Sequence, residues 1–164
     1  CEKFKKAEQI YREILRDEES SEREKAIACI GIAKALDMDP EKKGRKHKKT
    51  VMSYYDKACE LGDNSGIDAT AQFFKGYLHL TVPGKDNRRK ALKCFKEYLD
   101  EFPDGVFARE ARFREMTTYI SLGKPSRAYY LFKKYDFKRK YPNSGFTLEL
   151  LRLFKKTGSV TVQK

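Results

Sequence analysis

The chain has 164 residues, 40% of them hydrophobic and 37% charged, with ten Tyr, eleven Phe, no Trp and five Pro. That balance excludes a disordered chain and fits one globular domain, and no apolar run approaches the ~20 residues that span a bilayer. A net charge of +12, from 36 Lys/Arg against 24 Asp/Glu, leaves an acidic protein, a nucleic acid or an anionic membrane surface open as partners, beside a basic face with no partner at all.

Helical periodicity starts at once. Phe4, Ala7, Ile10, Tyr11, Ile14 and Leu15 recur at three- and four-residue steps, which predicts an amphipathic helix over 2–17. Ser20 or Ser21 caps a second helix, and Glu24 stands at capping-box spacing from Ser21. Ala26, Ile27, Ile30, Ala33 and Leu36 make this second helix rich in small residues and suited to the inside of a stack. Asp37-Met38-Asp39-Pro40 ends it, with Asp39 predicted as the next N-cap and Pro40 as the first helical position. The third helix carries Val51, Tyr54, Tyr55, Ala58 and Leu61 and closes at Gly62. A fourth is predicted over about 65–80, before the turn Val82-Pro83-Gly84-Lys85-Asp86. The fifth, about 87–102, stops at Pro103-Asp104-Gly105, and the sixth, about 106–122, at Leu122-Gly123. A seventh starts at Lys124-Pro125-Ser126 and runs to Tyr141, and an eighth covers about 146–156. Residues 157–164 are β-branched and polar, a tail expected to fray. The fold class predicted is all-α, with about eight helices.

The cysteines are Cys1, Cys29, Cys59 and Cys94, without a Cys-x-x-Cys pair, and His47 and His79 do not stand at zinc-site spacing. Cys29, Cys59 and Cys94 lie among apolar helical positions, where free thiols act as small hydrophobes. Cys1 admits two readings: the lipidated first residue of a mature bacterial lipoprotein, or simply the point where this stretch of sequence begins. Glu2-Lys3-Phe4 runs straight into helical pattern without a polar tether, which favours the second.

Short turns make consecutive helices antiparallel neighbours, and the hairpins repeat. Ala91-x-x-x-Phe95-x-x-Tyr98 returns as Ala128-x-x-x-Phe132-x-x-Tyr135, 37 residues on; Phe102-Pro103-Asp104 returns as Tyr141-Pro142-Asn143 after 39. Ala7-x-x-x-Tyr11-x-x-Ile14 has the same form. A hairpin cannot bury its apolar face alone, so the next one covers it. In these residues the chain resembles the tetratricopeptide-repeat family, most closely over 87–142. Tyr98-Leu99-Asp100-Glu101-Phe102-Pro103-Asp104 is similar to repeats of bacterial envelope proteins, and 51–63 is similar to the related Sel1 repeats. Ile27, four residues before Gly31, fits the family's first helix; Gln72 before Gly76 and Arg112 before Met116 depart from it.

The resemblance implies a right-handed superhelical stack of antiparallel helix hairpins, an α-solenoid. It places one domain over 1–156, with repeats at about 21–62, 64–103 and 105–142 and flanking helices at 2–17 and 146–156. It implies a non-catalytic scaffold that binds a peptide or partner protein in a groove lined by the first helix of each hairpin, in the cytoplasm or in a bacterial periplasm or envelope assembly. The family register puts Thr70, Phe73 and Tyr77, then Glu110, Phe113 and Thr117, in that groove, where Phe and Tyr would anchor an apolar segment.

The sequence has no Gly-rich phosphate loop, His-Glu-x-x-His, Gly-x-Ser-x-Gly or Asp-rich calcium loop. No catalytic, metal or cofactor-binding residue is nominated, and a non-enzyme without cofactors is expected. Glu8, Glu13 and Asp17 interleave with Lys and Arg as ordinary helix support. The basic run Lys42, Lys43, Arg45, Lys46, Lys48 and Lys49 supplies the alternative function: electrostatic binding of nucleic acid or of an acidic membrane or protein surface. Cations at a helix start oppose the helix dipole, a hint of purpose. His47, within the run, is expected to be solvated, and His79 to meet carbonyls at a helix end or line a groove. A second basic region, Lys133, Lys134, Lys138, Arg139 and Lys140, is interleaved with Tyr130, Tyr135, Phe137 and Tyr141. Those aromatics fall at packing positions of the repeat, which favours core over a nucleic-acid surface.

Overall fold

The computed structural model describes residues 2–42, 44–62 and 66–158. Cys1 with its lipid-anchor reading, Lys43, and the tail from residue 159 onward lie outside them. Among the described residues there are nine helices and no strand: α1 Glu2–Arg16, α2 Glu22–Met38, α3 Arg45–Leu61, α4 Ile67–Leu80, α5 Lys85–Glu101, α6 Ala108–Ser121, α7 Pro125–Lys134, α8 Phe137–Lys140 and α9 Gly145–Lys156. The fold is all-α, and helices adjacent in sequence pack on one another: α1 on α2, α2 on α3, α5 on α6, α6 on α7. The chain divides into two compact units, Cys1–Leu78 and His79–Lys164.

In the first unit α2 is the central element. The Ser21 hydroxyl accepts from the Glu24 amide and the Glu24 carboxylate accepts from the Ser21 amide, so the capping box fixes where the helix begins. Ala26, Ala28, Cys29, Ile32, Ala33, Ala35 and Leu36 are all buried, because α1 and α3 take two flanks of the helix. The core continues through Val51, Tyr55 and Ala58 of α3 and Ala71 and Leu78 of α4, with Tyr11 and Leu15 of α1 packed against it.

The start of α3 differs from expectation. Asp39 does not open it; its amide donates to Leu36 O at the end of α2, and its carboxylate accepts from the Glu41 amide in a local turn. Pro40 therefore sits in a turn, and α3 begins at Arg45 after Gly44, whose φ of 102° suits glycine. Gly62 also differs. Its φ of −71° is right-handed, so it is no left-handed cap. It is glycine because a Cβ there would lie 2.6 Å from the Asp68 backbone nitrogen. Gly62→Ala is expected to destabilise the protein by about 1–3 kcal/mol, read as a lower urea midpoint; an unchanged midpoint would mean that α4 shifts freely.

In the second unit Phe113, Met116, Ala128, Leu131, Phe132, Phe137, Leu150 and Phe154 form the core, with α9 packed on α6. α6 ends in a Schellman motif around Gly123 (φ 75°), with the Gly123 amide bonded to Ile120 O and the Lys124 amide to Tyr119 O. The predicted helix over 125–141 is broken. Asp136 adopts left-handed φ 49°, ψ 42°, and the chain restarts as the single turn α8.

Candidate functional site

Between α1 and α3, α2 buries two flanks and leaves a third uncovered. Ile27, Ile30, Gly31 and Lys34 follow one another along it at three- and four-residue steps. With Tyr11 of α1 and Ile67 and Thr70 of α4 they line a groove of about 300 Å³. Gly31 lies at its base, packed against the Tyr11 ring, which a larger residue would displace. A Cβ there would come within 2.5 Å of the Tyr11 ring. Ile27 is 48% exposed at the wall, while Ile30 and Ile67 are half-buried. Lys34 Nζ lies 4.7 Å from the Phe74 ring centroid, a cation–π contact that holds the ammonium at the groove edge. The Thr70 hydroxyl donates to Gly66 O and so faces its own helix. The site offers an apolar slot for one or two aliphatic side chains with a positive charge beside it.

Of the six groove residues expected from the family register, Thr70 lines this groove. Phe73 is core, only 1% exposed, with edge contacts to Phe74 at 5.5 Å and to the half-buried Tyr77 at 5.3 Å. Phe113 is core in the second unit, because Phe146 of α9 stacks on it at 4.5 Å. On the same helix Glu110 pairs with Arg114, and the Thr117 hydroxyl donates within its own helix, to Phe113 O or Arg114 O. Tyr11, Ile27, Ile30, Gly31, Lys34 and Ile67 were not foreseen as lining. The local signal was Ile27 standing four residues before Gly31, which did not by itself show a groove wall.

The basic run is less free than its sequence suggests. Lys42 Nζ binds Glu8 Oε2 at 2.8 Å, and the other Glu8 oxygen takes Arg12 at 2.7 Å. Burial pushes the Glu8 carboxyl up, but the hydrogen bonds from Lys42 and Arg12 outweigh it and hold the group below its ordinary value. Arg12 also donates to the Tyr54 hydroxyl at 2.8 Å, which ties α1 to α3. His47, expected to be solvated, is half-buried, with Nε2 3.0 Å from Leu36 O at the end of α2. Arg45, Lys46 and Lys49 are exposed and Lys48 is half-buried. The first unit as a whole carries 16 Lys/Arg against 15 Asp/Glu, so acids elsewhere in the unit balance the run.

Among the described residues Cys29, Cys59 and Cys94 are thiols outside any disulfide; Cys29 and Cys94 are buried and Cys59 is half-buried. Burial pushes the Cys59 thiol up to about 11, which keeps it protonated and weakly nucleophilic near neutral pH. Among the described residues no three His, Cys, Asp or Glu gather closely enough to hold a metal, and no helix is long and apolar enough to cross a membrane.

The chain matches no protein-family model. It likewise matches no curated protein and no solved structure.

Proposed function

We propose that the protein is a non-catalytic interaction scaffold that takes an apolar segment of a partner protein into the groove between α2 and α4. Ile27 carries this reading. Single exposed apolar residues are ordinary on a protein surface, but this one stands in a concave wall with Ile30 and Ile67, over a glycine floor and next to a lysine. Burying an aliphatic side chain there gives affinity, and Lys34 gives direction by favouring an acidic residue next to it.

Selection of binders from a displayed random-peptide library tests the idea. Enriched peptides should pair an aliphatic residue with a neighbouring Asp or Glu. Ile27→Glu should weaken them at least about tenfold, the scale of one lost apolar anchor, with an unchanged unfolding midpoint because the side chain is half exposed. Peptides that bind the variant as well as the parent would remove the groove from the account. The electrostatic alternative through 42–49 has less support, since Lys42 is committed to Glu8 and His47 lies against Leu36 O.

A further inference from the structure

The charge excess is unevenly divided. The second unit has 20 Lys/Arg against 9 Asp/Glu, a net of +11, so nearly all of the protein's net charge of +12 lies there. Within it the segment 124–140 concentrates seven cations, from Lys124 to Lys140, and every one is exposed. Its one carboxylate, Asp136, is paired with Arg139. Cations in a last helical turn complement the dipole, which accounts for Lys133 and Lys134 in α7 and for the three in α8. The same dipole disfavours Lys124 and Arg127 at the other end of α7, where they cap and open the helix. Both ends are positive, so the dipole does not explain the pattern.

An aromatic ring stands among these charges. Phe132 and Phe137 are buried and Tyr135 is half-buried, but Tyr130 is 53% exposed, with the Arg127 guanidinium 5.1 Å from its centroid. At the left-handed Asp136 lies a cleft of about 410 Å³, lined by Lys133, Lys138 and Arg139, by Asp136 itself and by Phe132 and Phe137.

We propose that this α7–α8 face binds single-stranded nucleic acid, its lysines and arginines meeting phosphates and Tyr130 stacking on a base. Positive charge alone would serve an acidic peptide equally well. A half-exposed tyrosine with a guanidinium over its ring is what a base stacks against and a carboxylate does not. The proposal does not depend on the α2–α4 groove.

The test uses the full chain and a fluorescein-labelled oligouridylate of about 20 nucleotides, enough to cover a site of this class, followed by polarisation across a salt series. Binding should weaken steeply with salt. Lys133→Gln/Lys134→Gln/Lys138→Gln should bind at least about tenfold less tightly and reduce the log–log salt slope by about 2. Tyr130→Ala should weaken binding about tenfold with the slope unchanged. Lys46→Gln/Lys49→Gln in the first unit and Ile27→Glu should bind like the parent. No binding at low salt, or a triple variant that binds like the parent, would overturn the proposal. So would polyglutamate displacing the oligonucleotide at equal charge together with indifference to Tyr130→Ala, which would assign the face to an acidic protein.

Discussion

Phe154→Ala should lower the unfolding free energy by about 3–5 kcal/mol, the range for emptying a large aromatic site in a packed core. Phe154 has no exposed surface and meets the rings of Tyr129 at 5.3 Å and Phe132 at 5.4 Å edge-on. It belongs to α9, which packs on α6. The same helix carries Leu148, which is 60% exposed, and Leu148→Ala should stay within about 0.5 kcal/mol of the parent. Urea unfolding of the two variants separates packing from helix propensity. Equal losses would mean that α9 contributes as a helix and not as a lid on the second core.

Glu115 sets the second large effect. It is 3% exposed on α6, and the Tyr135 hydroxyl donates to its Oε2 at 2.7 Å. Burial raises the carboxyl above its ordinary 4.5, while the Tyr135 hydrogen bond and the charges of Lys96 and Arg127 oppose the rise and Asp100 adds to it. The folded state therefore holds this proton more tightly than the unfolded chain. The stabilisation is complete below pH 4.5 and is lost as pH rises through the higher folded value. Glu115→Gln keeps an acceptor for Tyr135 and removes the buried charge, so it should raise the unfolding midpoint at pH 7 and leave it unchanged at pH 4. Tyr135→Phe leaves the carboxylate without that donor and should lose about 1.5–3 kcal/mol at pH 7. Unfolding midpoints at both pH values decide it, and parallel pH profiles for parent and Glu115→Gln would exonerate this group.

What was legible in the sequence was local. The Ser21–Glu24 cap, the stop at Gly123 and the buried small-residue face of α2 all follow from residues a few positions apart. The break at Asp136 left a mark that the overall apolar richness of the stretch hid: Tyr135 and Phe137 stand two apart, and residues at that spacing do not share a helix face. Asp39-Pro40 has the composition of a helix start, yet the same Asp serves as the end of α2, and only the packing decides between the two. The groove repeats this division. Ile27 and Gly31 stand four apart, a local spacing that matched the family's first helix but did not by itself show Ile27 exposed in a groove wall, whereas the burial of Phe113 depends on Phe146, which arrives from a helix more than thirty residues later. The charge asymmetry was present in the residue counts, but it emerges only when the chain is divided where its contacts divide.

No residue of α1 is fully buried. Its hold on the first unit comes from half-covered Tyr11 and Leu15 and from the Glu8, Arg12 and Tyr54 bonds. Such an element detaches at a smaller free energy than the helices behind it. Since Tyr11 lines the cavity at Gly31, each detachment would remove a wall, and a partner of the kind proposed that touched Tyr11 would pin the helix down. Under the proposed function, occupancy of the groove and local order of α1 would be two readings of a single equilibrium.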